Sequence, residues 1–222
     1  MSDLISLPPL SLYVHMPWCV RKCPYCDFNS HAAPGDEQGG VPEAAYISAL
    51  LQDLDQDLAD FPDTHAGERE LVSIFIGGGT PSLISPAGYA TLFTGLRQRL
   101  RFADDIEITL EANPGTVEQG LFQGYREVGI NRLSIGVQTF QTAQLKALGR
   151  IHSGDEAQRA AQSAREVGFS NFNLDLMHGL PGQSLQQALD DLRQAIALEP
   201  THLSWYQLTL EPNTVFFREQ PV

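Results

Sequence analysis

The sequence is short of cysteine, of basic residues and of long apolar runs, and each shortage excludes something. Only three cysteines occur in 222 residues, all between positions 19 and 26. An odd number packed that tightly suits neither a disulfide framework nor chance placement in a core. Clustered thiols in a reducing compartment point first to a metal. Lys and Arg total 14 against 27 Asp and Glu, a net charge of -13 spread along the chain. A surface so poor in positive charge disfavours a nucleic-acid binder that tracks phosphates. Nowhere do about 18 apolar residues run together, and residues 1–9 carry no basic flank ahead of an apolar run. These absences predict a cytoplasmic chain without a transmembrane segment. No repeat of fixed period appears. The 42% hydrophobic content is enough for one sizeable core, and a single domain over 1–222 is expected.

What remains alternates regularly. Short β-rich runs cover 11–16, 71–77, 106–111, 132–136, 171–177 and 203–210, and apolar residues recur at helical spacing over 43–60, 86–101, 117–128, 141–167 and 184–198. Pro86 after Ser85, Gly129 after Val128 and Gly168 after Val167 punctuate the helices as starts and stops. Residues 31–42, rich in Ala, Gly, Pro and acid, read as a flexible insert. Strict alternation implies a parallel α/β sheet, either doubly wound or an open (β/α)6 barrel resembling part of a TIM barrel. In both, chemistry gathers at the carboxyl ends of strands. The polar and Gly-rich runs fall there, after each apolar stretch.

Cys19, Cys23 and Cys26, spaced three and two residues apart, can reach one metal centre. Structural zinc and iron-sulfur sites normally use four protein ligands, so three thiolates leave one position for an exogenous molecule. Arg21 and Lys22 offset part of the charge, and Pro17 and Pro24 stiffen the loop. Spacing alone does not separate an iron-sulfur cluster from zinc completed by His15 or His31, or from three reduced structural thiols.

The run Tyr13-Val-His-Met-Pro-Trp-Cys-Val-Arg-Lys-Cys-Pro-Tyr-Cys26 resembles the cluster motif of radical S-adenosylmethionine (SAM) proteins, in particular the oxygen-independent coproporphyrinogen III oxidase family and its haem-chaperone branch. The likeness continues in order through Phe75-Ile-Gly-Gly-Gly-Thr-Pro-Ser82, Glu111-Ala-Asn-Pro-Gly115, Arg132-Leu-Ser-Ile-Gly-Val-Gln-Thr-Phe140, Leu148-Gly-Arg-Ile-His152, Asn173-Leu-Asp-Leu-Met-His-Gly-Leu-Pro-Gly182 and Tyr206-Gln-Leu-Thr-Leu-Glu-Pro212. It implies a [4Fe-4S] cluster on Cys19, Cys23 and Cys26. The open iron would chelate SAM, and an electron from the cluster would break its sulfonium carbon-sulfur bond.

The resemblance also gives tasks to the strand ends. Gly78 and Gly79 would let the backbone approach the methionine amino group, and Thr80 would add a hydroxyl; apart from the family they read as a tight turn. Glu111 and Asp175 would bond ribose hydroxyls or the amino group. The alternatives are a helix cap for Glu111 and an ion pair with Arg150 for Asp175. Arg150 suits the methionine carboxylate because a guanidinium fork matches it, and otherwise reads as a surface arginine. Gln138 would complete the ligand's hydrogen bonds, and otherwise reads as a buried, satisfied strand-end amide. Tyr25 would stack on adenine, Thr209 would offer adenine its backbone, and Tyr13 would stand near the ligand; each tyrosine also reads as packing. His15, His152, His178 and His202 read as structural residues rather than metal or haem ligands.

Phe28 stands where porphyrin-oxidising members carry a further cysteine, which resembles the haem-chaperone branch instead. The implied task is haem binding and transfer to an acceptor protein, with an electron donor such as a flavodoxin or ferredoxin serving the cluster. Oxidation of coproporphyrinogen III is the alternative, and a zinc-stabilised domain without redox chemistry a third. The family continues with another helix and a C-terminal domain bearing a haem-linked element. The chain is therefore expected to be C-terminally truncated, to bind the cluster, to handle haem or porphyrin poorly, and to expose apolar surface beyond its sixth strand.

Overall fold

A computed structural model describes residues 8–33, 40–62 and 69–221, and half of the expected insert, residues 34–39, lies outside them. Among the described residues six strands form one wholly parallel sheet: β1 (Leu10–Met16), β4 (Leu71–Gly78), β5 (Phe102–Ala112), β6 (Arg132–Gln138), β7 (Phe172–His178) and β8 (His202–Gln207). They neighbour one another in chain order. A doubly wound sheet reverses order at a switch point. This one does not, so of the two predicted architectures the chain adopts the open arc of a partial barrel, with β1 and β8 as its free edges. A two-residue pairing, β2 (Trp18–Cys19) with β3 (His31–Ala32), folds the start of the expected insert back onto the cysteine loop.

The helices are α1 (Glu43–Asp60), α2 (Pro86–Arg97), α3 (Thr116–Glu127), α4 (Thr142–Ala147), α5 (Gly154–Glu166), α6 (Leu185–Ala197) and the short α7 (Val215–Arg218). Local chemistry explains their starts. Ser85 accepts from the Gly88 amide with Pro86 at the first helical position, and Ser153 with Glu156, and Ser184 with Gln187, form capping boxes. The single helix expected over 141–167 is two. Gly149 turns the chain at φ +69° and Ser153 restarts the helix. The break leaves Arg150 and His152 between them.

Strand parity divides the layers. Ile74, Ile76, Ile108, Leu110, Leu133, Ile135, Leu174 and Leu176 are buried in the main core. Burying each such side chain contributes roughly 1.5–3 kcal/mol. Alternate positions, among them Glu111, Ser134, Gly136, Asp175 and Tyr206, line the cavity instead. On β8 the apolar Leu203 and Trp205 stay more than a third exposed, as expected of the open edge. No described helix is long and apolar enough to cross a membrane.

Candidate functional site

The strand ends and the cysteine loop enclose a cavity of about 480 Å³, within the range of ligand sites. Its wall includes Cys19, Cys23, Cys26, Tyr25, Gly78, Gly79, Thr80, Glu111, Gln138, Arg150, Asp175 and Thr209. Of the expected site residues only Tyr13 is not on that wall. It is exposed, stacked 6.2 Å from Phe75, with its hydroxyl 3.3 Å from His15 Nδ1.

The cysteine loop is held from several sides. Lys22 Nζ donates to the carbonyls of Phe28 and Ser30 at 3.1 and 3.0 Å, and the Cys26 amide donates to Cys23 O at 3.2 Å. The Phe216 amide of α7 donates to Pro24 O at 3.0 Å, and Tyr25 packs on the small core of Leu148, Met177, Leu180 and Phe216. Cys19 is buried, Cys23 and Cys26 half-buried. Burial pushes the Cys26 thiol up, partly opposed by the Phe28 amide and the Ser30 hydroxyl. Among the described residues no three His, Cys, Asp or Glu side chains gather tightly enough for a single metal ion. His15, a proposed fourth zinc ligand, has one ring nitrogen 2.7 Å from Asn29 O and the other facing Tyr13.

The glycine turn needs its glycines. Gly78 has φ +111°, and a Cβ there would come within 2.7 Å of the His15 ring. A Cβ on Gly79 would collide with the Trp18 carbonyl oxygen, to which Thr80 N donates at 2.6 Å. Glu111 accepts from Gly78 N at 3.1 Å, so it caps a strand-end turn and no helix. Burial, with Asp175 nearby adding to it, raises its carboxyl to about 7.

Asp175 does not pair with Arg150. It accepts from Ser134 Oγ at 2.7 Å and Asn173 Nδ2 at 2.8 Å, a polar group running across β6 and β7. Arg150 instead donates to Asn113 Oδ1 at 2.6 Å, to Gly136 O at 3.0 Å and to Cys23 Sγ at 3.6 Å. Its Nε is buried without a partner. Gln138 is buried at φ +66°, just past a bulge, and accepts from the Tyr206 hydroxyl at 2.9 Å. Left-handed backbone at a non-glycine residue costs about 1 kcal/mol or more and persists where neighbours over-determine it. His152 is buried against Val137 O at 3.1 Å, and burial plus Arg150 lowers its pKa to about 4, so it is a neutral structural ring.

Asn113, Ser134, Asn173 and Tyr206 were not singled out from the sequence. Their signal lay in strand parity, since each alternates with a buried aliphatic neighbour or sits at a strand end.

The residues present fit a cluster and a SAM molecule. The donors are three soft thiols, the glycine turn leaves a cradle that a Cβ would fill, and the buried guanidinium of Arg150, on the cavity wall, keeps an N–H without a partner. When bound, the pair would supply an electron and a carbon radical; the chain supplies position and shelter from solvent.

Residues 13–195 match the radical SAM superfamily. The chain is 59% identical over 219 residues to the heme chaperone HemW of Escherichia coli, covering 99% of this chain and 56% of that one. It is 58% identical over 216 residues to HemW of Haemophilus influenzae, covering 97% and 55%. Among solved structures, coproporphyrinogen III oxidase (HemN) from Escherichia coli, a radical SAM enzyme, superposes with a TM-score of 0.80 at 30% identity, covering 96% of this chain and 46% of that one. The chain thus spans about half the length of the curated relatives it matches. The chain belongs to the radical SAM superfamily, whose members carry a [4Fe-4S] cluster and SAM.

Proposed function

We propose that this chain is the cluster-bearing core of a haem-trafficking protein. Cys19, Cys23 and Cys26 hold the [4Fe-4S] cluster; Gly78, Gly79, Thr80, Glu111, Gln138, Arg150 and Asp175 hold SAM; Tyr25 and Thr209 face its adenine, and Tyr13, off the cavity wall, stands near the ligand. The observation that carries this reading is the convergence, in one cavity, of three thiols with a buried guanidinium that reaches Cys23 and keeps an N–H in reserve. Residues 1–222 act as one radical SAM domain. Three unpaired thiols fit the reducing cytoplasm. The cargo is haem, passed to an acceptor protein, and a flavodoxin- or ferredoxin-type donor reduces the cluster.

The alternative is oxidative decarboxylation of coproporphyrinogen III, which the likeness to HemN favours. Phe28, exposed at the cavity rim, argues against it, because a phenyl ring provides no thiol there. Incubation of cluster-loaded protein with coproporphyrinogen III, SAM and a reductant separates the two. No turnover, with haem uptake, even weak, in a parallel titration with haem, supports the chaperone, and a vinyl product overturns it.

A further inference from the structure

Gln138 is the site residue whose conformation most needs explaining. Its backbone is left-handed, at φ +66°, in a bulge where Gly136 pairs with Asp175 and Gln138 with Leu176, leaving Val137 as the extra residue. The Val137 carbonyl accepts from the Thr139 amide at 2.9 Å and lies 3.1 Å from His152 Nε2. Those contacts fix the backbone and leave the side-chain amide to be oriented by something else.

We propose that Tyr206 is a positioning residue that makes Gln138 a hydrogen-bond donor toward the cavity. Tyr206 stands on β8, two strands from Gln138, and its hydroxyl donates to Gln138 Oε1 across β7 at 2.9 Å. A primary amide presents oxygen or nitrogen with nearly equal ease. With the phenol on one lone pair of the oxygen, the amide is held with Nε2 on the side of the cavity-lining Gly136, 3.0 Å from where a Cβ on that glycine would stand, so its hydrogens are what a ligand there meets. Burial, with Asp175 adding to it, keeps the phenol protonated and so able to donate. The donor selects an oxygen acceptor, a carboxylate or ribose oxygen, and disfavours an ammonium group in the same place. Tyr206 thereby sets the polarity of the site without needing to touch the ligand. The inference rests on the SAM reading above.

The test is a double-mutant cycle on cluster-loaded protein, with SAM binding followed by calorimetry. Gln138→Gly removes the side chain while accepting the left-handed backbone, and Tyr206→Phe removes only the hydroxyl. Tyr206→Phe should weaken SAM about fivefold to tenfold, the effect of one neutral hydrogen bond, and should have no further effect in the Gln138→Gly background. Gln138→Glu should bind worse than Gln138→Gly, because a carboxylate faces the cavity with acceptors alone. Equal losses from Tyr206→Phe in both backgrounds, no loss in the wild-type background, or wild-type affinity in Gln138→Glu would overturn the proposal. Failure of the wild type itself to bind SAM would overturn the SAM reading and this inference together, and is distinguishable because no variant is needed to see it.

Discussion

Arg150 Nη1 lies 3.6 Å from Cys23 Sγ, although 127 positions separate the two residues. The contact joins the break between α4 and α5 to the cysteine loop. It places a permanent cation between the thiols and the strand ends, where an anionic ligand group would sit. Asn113 Oδ1 and Gly136 O hold the guanidinium from behind.

Arg150→Lys should weaken SAM binding by at least tenfold, since an ammonium keeps the charge but loses the fork and the Asn113 and Gly136 bonds. Arg150→Ala should weaken it further. Calorimetric titration of the cluster-loaded variants checks the order, and equal affinity for lysine and wild type would remove the fork from the account.

The cluster-free protein carries two opposed titrations. Glu111 is raised to about 7 in the fold from an ordinary 4.5, so its stabilising effect is present below about 4.5 and is lost as pH rises to 7. His152 is lowered to about 4 from 6.5, so its contribution is present above 6.5 and is lost as pH falls to 4. Between 4.5 and 6.5 the two slopes oppose each other. Denaturant titrations should therefore show Glu111→Gln gaining stability with pH across this window and His152→Gln losing it, each by about 2 kcal/mol. Parallel curves for wild type and both variants would contradict the assignment.

Gly79→Ala should destabilise the fold by about 2 kcal/mol or more, because the atom it meets is the Trp18 carbonyl and cannot rotate away. Gly120→Ala is the control, a helical position with open space around its Cβ. There the change should be neutral or slightly stabilising in a thermal melt.

Much of this was legible in the residues. Six strands, their parallel alternation and the motifs at their carboxyl ends follow from period and punctuation, and the motif resemblance picked out twelve residues of the cavity wall, the three thiols among them. The break at 148–153 was not read, because apolar spacing runs on through it, though the Ser153 and Glu156 capping pair marked a new helix start. The partners of Asp175 and Arg150 were also out of reach. Ser134 and Asn113 lie 41 and 37 positions away from them, and strand register, which local pattern does not encode, brings them together.

The most direct measurement is electron paramagnetic resonance of protein reconstituted with iron and sulfide without oxygen, then reduced, with and without SAM. The account predicts a reduced [4Fe-4S] signal that changes when SAM is added and is lost on exchanging Cys19, Cys23 or Cys26 singly for serine. A colourless zinc-containing product, or a cluster indifferent both to SAM and to those serines, would contradict it.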